Sequence, residues 1–131
     1  MDQQLQQFIE ESLAASHAGT RSFGEIVVRL AQHGVESYRV DYRDGSATYF
    51  LPSGDSYRAS LRVPELAIGE RFDAPAVVEA IVGSQQGRVK YPEFIERSMR
   101  AGCVTYTVWI SGRQVTYFGR NGESHVERFL S

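Results

Sequence analysis

The chain repeats itself at a fixed spacing of 68 positions, the separation between Tyr38 and Tyr106. The segment "TYFLPSGDSY" at 48–57 returns without a gap as "TYFGRNGESH" at 116–125. A fixed internal period indicates a duplicated structural unit, and it constrains the fold more strongly than any single motif. The sequence therefore predicts one domain, residues 1–131, built of two units at about 3–59 and 71–127.

Each unit carries helix signals followed by strand signals. Apolar residues recur at helical spacing over 3–15 and 73–83, which predicts the first helix of each unit. Ser22 and Glu25 have capping-box spacing, and Gly34 follows as the expected left-handed residue after a second helix. In the second unit Pro92 is expected at the first helical position and Gly102 after the helix.

After Gly34 and Gly102 the helical spacing ends, and apolar and polar residues alternate as they do in strands. Turn signals at Asp44–Gly45 and Ser53–Gly54, repeated near Ser111–Gly112 and Asn121–Gly122, predict a three-stranded antiparallel meander in each unit. The fold class is therefore α+β, a duplicated ααβββ unit with its helices packed on one sheet face. The pattern fits either one six-stranded sheet or two separate layers.

Strand alternation also predicts which side chains are buried. A tight turn at Asp44–Gly45 would pair Tyr42 with Ala47 and Val40 with Tyr49, and this face is expected to form the core. The opposite face is predicted to bind a ligand or a protein partner, because exposed aromatic side chains often mark interfaces. Alternatively, these aromatic residues pack under loops, the first helix or the other unit, or a homodimer buries them. The predicted binding residues are Arg39, Asp41, Phe50, Trp109 and Phe118.

Composition narrows the class of protein. A chain of 131 residues with 42% hydrophobic residues can bury one core. Fourteen Lys and Arg against sixteen Asp and Glu give a net charge of -2, which disfavours nucleic-acid partners. The sequence has neither a signal-peptide pattern nor an apolar run of about 20 residues, so we expect a soluble cytoplasmic protein without membrane contact. The single cysteine, Cys103, is expected to be a buried, inert thiol.

No metal or cofactor is predicted. His17, His33 and His125 lack zinc-ligand spacing. The segment around Gly87 is similar to a calcium-binding loop, but valine, serine and glutamine stand where the first oxygen ligands belong. The "GRNGES" segment lacks the Gly-Lys-Ser/Thr of a phosphate-binding loop.

The segments "GVESYRVDY", "GRVKYPEFIERSMRAG" and "VTYFGRNGESHVERF" resemble the YbcV-like family of uncharacterised bacterial and prophage-associated proteins. Some members of that family carry the label "phage envelope protein". The resemblance runs over essentially the whole chain and is most specific between Tyr106 and Glu127. It implies a small soluble α+β domain, and it implies neither an activity nor catalytic residues.

Two functions remain open. The first is a non-enzymatic binding module that uses the outer sheet face. The second is a small enzyme with a cleft between the units, in which His125 acts with a carboxylate and a repeated tyrosine such as Tyr106, because imidazole titrates near neutral pH. The carboxylate would be Asp41, Asp55 or Glu123. The four repeated tyrosines, Tyr38, Tyr49, Tyr106 and Tyr117, either line that cleft or fill the core.

Overall fold

The computed structural model describes residues 1–130 and has the α+β architecture that the sequence predicts. Two helices and three strands are followed by the same series again, a pattern compatible with a duplicated unit. The first series is α1 (Gln3–Ala18), α2 (Phe23–Gln32), β1 (Ser37–Asp41), β2 (Ser46–Phe50) and β3 (Ser56–Ser60). The second is α3 (Ala74–Gln85), α4 (Tyr91–Arg100), β4 (Cys103–Trp109), β5 (Gln114–Gly119) and β6 (Ser124–Arg128).

Local signals set the helix ends. The capping box predicted at α2 is confirmed: Ser22 Oγ accepts from the Glu25 N–H at 3.2 Å, and Glu25 Oε1 accepts from the Ser22 N–H at 3.1 Å. Helix α4 begins one residue earlier than predicted, so Pro92 is its second residue. Proline is tolerated there because the first N–H groups of a helix have no intrahelical acceptor.

The six strands form one antiparallel sheet in the order β3-β2-β1-β4-β5-β6, which decides between the two arrangements that the sequence left open. The units meet at its centre, where β1 pairs with β4. In this pair Arg39 lies opposite Thr107, the residue 68 positions later, and Tyr38 and Val40 lie opposite Val108 and Tyr106. This register is compatible with a two-fold axis between the units.

The first hairpin turn is longer than predicted. Residues 42–45 connect β1 to β2, so Val40 pairs with Ala47 and Tyr38 with Tyr49, two residues away from the predicted register. Asp41 explains the difference, because its carboxylate accepts from the Arg43 N–H at 2.9 Å and bends the chain early. The Tyr42 N–H then donates to Val104 O of β4 at 3.0 Å. A shift of two residues leaves each side chain on the face predicted for it.

The core lies between the helices and one face of the sheet. The helices contribute fully buried apolar side chains, among them Ile9, Leu30, Val77 and Ile95. The sheet contributes the alternate positions predicted to face inward, so the prediction of the buried face is confirmed. These positions are Tyr38, Val40, Ala47, Tyr49, Tyr106, Val108, Val115 and Tyr117.

Candidate functional site

A cleft of about 270 Å³ lies between the helix layer and the sheet, and we call it the tyrosine cleft. Its buried floor is formed by Tyr38 and Val40 of β1, Tyr49 of β2 and Tyr106 of β4. Its walls come from α1 and α2 on one side and from the α3–α4 connection on the other. The principal wall residues are Ser12, Leu13, Ser16, Gly19, Thr20, Arg21, Ile26, Ser84, Gly87, Val89, Lys90 and Tyr91.

Both units contribute to the lining in corresponding places. Ser16 and Ser84 are 68 positions apart, as are Gly19 and Gly87. The repeated tyrosines Tyr38 and Tyr106 also lie together on the floor. The cleft is therefore lined by residues of both helix–strand series, but not by His125, which the enzyme hypothesis placed in a cleft between the units.

The tyrosine hydroxyls in the cleft fall into two groups. Tyr91 and Tyr106 are hydrogen-bonded to each other, with 2.6 Å between their hydroxyl oxygens. Tyr38 and Tyr49 stack, with ring centroids 4.9 Å apart, and their hydroxyls have no hydrogen-bond partner within residues 1–130. Burial raises the pKa of Tyr91 to about 12, and it also raises the pKa values of Tyr38 and Tyr49. All these hydroxyls are therefore protonated at neutral pH and can donate hydrogen bonds.

Ser12 adds a buried hydroxyl to the wall. The residue is 1% exposed, and its Oγ has no hydrogen-bond partner among the residues that the structure describes. Leaving a buried hydroxyl unpaired costs about 1–3 kcal/mol. Sequence reasoning missed Ser12, although a signal existed: a serine interrupts the apolar stripe of α1, which includes Leu5 and Ile9.

Charged side chains stand at the mouth of the cleft. Arg21 is half-buried and Lys90 is exposed, and the Lys90 stem runs beside Gly19, where an added Cβ would lie 3.4 Å from Lys90 Cδ. Glu25 also lines the cleft, but its carboxylate is held in the capping box of α2. Hydrogen bonds from Ser22 lower the pKa of Glu25, so it is ionised at neutral pH. The mouth therefore carries two positive charges and one negative charge.

The predicted catalytic residues are not brought together. Tyr106 is in the core, whereas Asp41 is on the opposite face of the sheet. Partial burial opposes ionisation of Asp41, but hydrogen bonds from Arg43 lower its pKa. His125 lies on the edge strand β6, where its Nε2 is 3.0 Å from Glu127 Oε1.

The other two candidate carboxylates are engaged in local contacts. Asp55 pairs with the N-terminal amine of Met1. Glu123 Oε1 accepts from the Asn121 N–H at 2.8 Å. The acidic partner beside His125 is therefore Glu127, which the sequence did not single out.

The predicted aromatic residues share the outer face of the sheet but form two groups. Phe50 and Trp109 lie on either side of buried Ser37, at one end of β1. Phe118 lies opposite Thr105, towards the other end of β4. The intervening row, which crosses the sheet through the Arg39–Thr107 pair, is polar apart from Val126 at its end: Arg58, Thr48, Arg39, Thr107, Thr116 and Val126.

The aromatic side chains of this face differ in exposure. Trp109 is 44% exposed, and its Nε1 donates to Thr116 Oγ1 at 3.2 Å. Phe50 is half-buried, with the Arg39 guanidinium 5.9 Å from its ring centroid. The outer face therefore presents one exposed indole beside a predominantly polar sheet surface.

Other sequence-based expectations concern the thiol, metals and the membrane. Cys103 is buried, and burial raises its pKa to about 12, in agreement with the predicted inert thiol. Within residues 1–130 no three His, Cys, Asp or Glu side chains are grouped so that they could hold a metal ion. Over the same residues, the helices are too short or too polar to cross a membrane.

Comparison with known proteins gives a family match over most of the chain. A family model described as "Protein of unknown function (DUF1398)" matches residues 15–127. Uncharacterized proteins of Mycobacterium tuberculosis, strain ATCC 25618 / H37Rv, and Mycobacterium bovis are similar, each 34% identical over 60 residues. These residues are 46% of this chain and 37% of each relative, so the match spans well under half of the relatives' length. The YbcV-like name and the phage-envelope label remain predictions.

Proposed function

This chain belongs to the DUF1398 family of proteins of unknown function, and we propose that it is a non-enzymatic module that binds a small organic molecule in the tyrosine cleft. One observation carries the proposal. Ser12, Tyr38 and Tyr49 line the cleft, and the buried Ser12 Oγ has no hydrogen-bond partner in the described part of the chain. A buried polar group without a partner is costly, and a ligand that supplies the partner removes that cost.

The contents of the cleft favour binding over catalysis. Its lining includes neither histidine nor cysteine, and its one carboxylate, Glu25, is hydrogen-bonded in a helix cap. General acid–base catalysis needs a group whose pKa lies near the working pH, whereas burial moves the pKa values of the cleft tyrosines upward. The enzyme hypothesis would have to use His125 with Glu127, and His125 does not line the cleft.

Phenol, a neutral aromatic probe, tests this proposal by nuclear magnetic resonance. We expect phenol to shift the backbone amide signals of Ser12, Gly19 and Gly87 in the parent protein. Ser16→Trp should abolish these shifts, because the indole would fill the cleft from α1. Glu11→Trp is the matched control, since Glu11 is an exposed residue of the same helix outside the lining. Phenol shifts that persist in Ser16→Trp would place the binding elsewhere.

The outer sheet face is a second candidate site, for a protein partner. It is favoured by the exposure of Trp109, at 44%. An indole exposed to this extent is a common anchor of protein interfaces.

A further inference from the structure

We infer that the ligand of the tyrosine cleft is a small aromatic monocarboxylate, bound with its carboxylate between Arg21 and Lys90 and its ring against Tyr38 and Tyr49. The inference rests on the proposed function and specifies the chemical class of the ligand. Three features support it: the charge at the mouth, the start of α4, and the hydroxyls inside the cleft.

Arg21 and Lys90 supply the positive charge at the mouth, and the Arg21 charge reaches Glu25, whose pKa is lowered by the Ser22 hydrogen bonds and also by Arg21. Neither Arg21 nor Lys90 forms an ion pair with any residue in the described range 1–130. Other cations of this protein do form such pairs, for example Arg97 with Glu93 at 2.6 Å. Glu25 offsets one of the two charges, which leaves a local excess of one positive charge on a chain whose net charge is -2. A single negative charge on the ligand balances this excess.

The N-terminus of α4 adds backbone donors beside Lys90. This ten-residue helix has Lys90 at its N-cap and no side-chain cap hydrogen bond. Pro92 has no N–H, so the backbone donors of the helix's first three residues are those of Tyr91 and Glu93. Helix α2 differs, because there the Ser22 side chain accepts a hydrogen bond from the Glu25 N–H in the first turn. Free N–H groups and the helix dipole both stabilise an anion at such a position.

The interior of the cleft fits a ring with a polar group at its inner end. The stacked rings of Tyr38 and Tyr49 offer an aromatic surface, and Ser12 is buried with its hydroxyl unpaired. The volume of about 270 Å³ lies just below the range of about 300–1,000 Å³ typical of drug-sized ligands. A molecule with one aromatic ring is therefore the appropriate size.

The test compares 4-hydroxybenzoate with its neutral analogue 4-hydroxybenzamide. The two molecules have the same ring and hydroxyl, so the difference in affinity reports the carboxylate. We expect calorimetry to show 4-hydroxybenzoate binding about tenfold more tightly, the effect of one charge-assisted contact. Arg21→Gln and Lys90→Gln should each remove most of that preference and leave the affinity for the amide unchanged. Arg88→Gln is the control, because Arg88 is an exposed cation near Lys90 that does not line the cleft.

Each other outcome is decisive. Equal affinity for the acid and the amide would overturn the inference, as would an affinity for the acid that neither Gln variant changes. In either case, phenol binding in the cleft would still support the proposed function. Tighter binding of phenyl phosphate than of 4-hydroxybenzoate would assign the mouth to a phosphate ester. Absence of binding by phenol and by both 4-hydroxy probes at about 10 mM, roughly ten times the Kd of a weak ligand that binds at about 1 mM, would overturn both proposals.

Discussion

Buried tyrosine hydroxyls in this core differ in whether they have a partner. The Tyr106 hydroxyl shares a hydrogen bond with Tyr91 at 2.6 Å. The Tyr42 hydroxyl is buried without a hydrogen-bond partner in the described part of the chain, although it lies near Ser98, whose own hydroxyl donates to Phe94 O at 2.7 Å. The two side chains are otherwise comparable, at 4% exposure each.

This difference predicts opposite effects of the same substitution. Tyr106→Phe should lower the free energy of unfolding by about 1 kcal/mol, because it breaks a hydrogen bond. Tyr42→Phe should leave stability unchanged or raise it by up to about 1 kcal/mol, because it removes an unpaired buried hydroxyl. Urea denaturation of both variants and the parent measures the effects. A loss of equal size in the two variants would contradict the hydrogen-bond assignment.

At the scale of elements, the helix ends follow local sequence closely and the turns do not. The capping box of α2 depends on residues three positions apart, so sequence alone predicts it. In the turn between β4 and β5, by contrast, Arg113 adopts φ 57°, where the equivalent first turn has Gly45 at φ 63°. Arg113 O accepts from the Phe129 N–H at 3.0 Å, and its guanidinium lies 5.7 Å from the Phe129 ring centroid. Phe129 follows the end of β6, so its contacts with Arg113 cannot be predicted from the sequence around the turn.

The capping box of α2 predicts a pH-dependent contribution to stability. The folded-state pKa of Glu25 is below its ordinary value of 4.5, so its stabilising effect is complete above that value and is lost as the pH falls through the folded-state pKa. Glu25→Gln should therefore be less stable than the parent at neutral pH, and the gap should close on acidification. Thermal unfolding from pH 7 to pH 2 measures the gap. Glu65→Gln, in an exposed connection, is the control, and a gap that is constant with pH would refute the prediction.

At the scale of the whole molecule, the sequence predicts which face of each strand is buried but not how the units join. Alternation alone places Tyr38 and Tyr106 in the core, and a two-residue error in register does not change that. The pairing of β1 with β4 is centred on Arg39 and Thr107, which are 68 positions apart, and no local signal specifies such a contact. The tyrosine cleft depends on that pairing, which is why Arg21 and Lys90 were not identified from the sequence.

The separation of the aromatic side chains into two groups on the outer sheet face predicts that the protein is a monomer. The polar row between the Phe50–Trp109 pair and Phe118 leaves little continuous apolar area for a stable contact between copies. We expect light scattering to give the monomer mass of 14.7 kDa for the parent and an unchanged state for Trp109→Ser. A dimeric parent that Trp109→Ser converts to a folded monomer would assign this face to a homodimer.

The strand order also affects how the protein avoids aggregation. Of the six strands, only β3 and β6 have an open edge, and strands rich in inward apolar residues lie inside the sheet. On β6 the inward positions hold His125 and Glu127, and on β3 the Tyr57 hydroxyl donates to Glu10 of α1. Inward-pointing polar groups at a sheet edge oppose the addition of a strand from another chain. The His125–Glu127 pair thus helps to keep the sheet six strands wide.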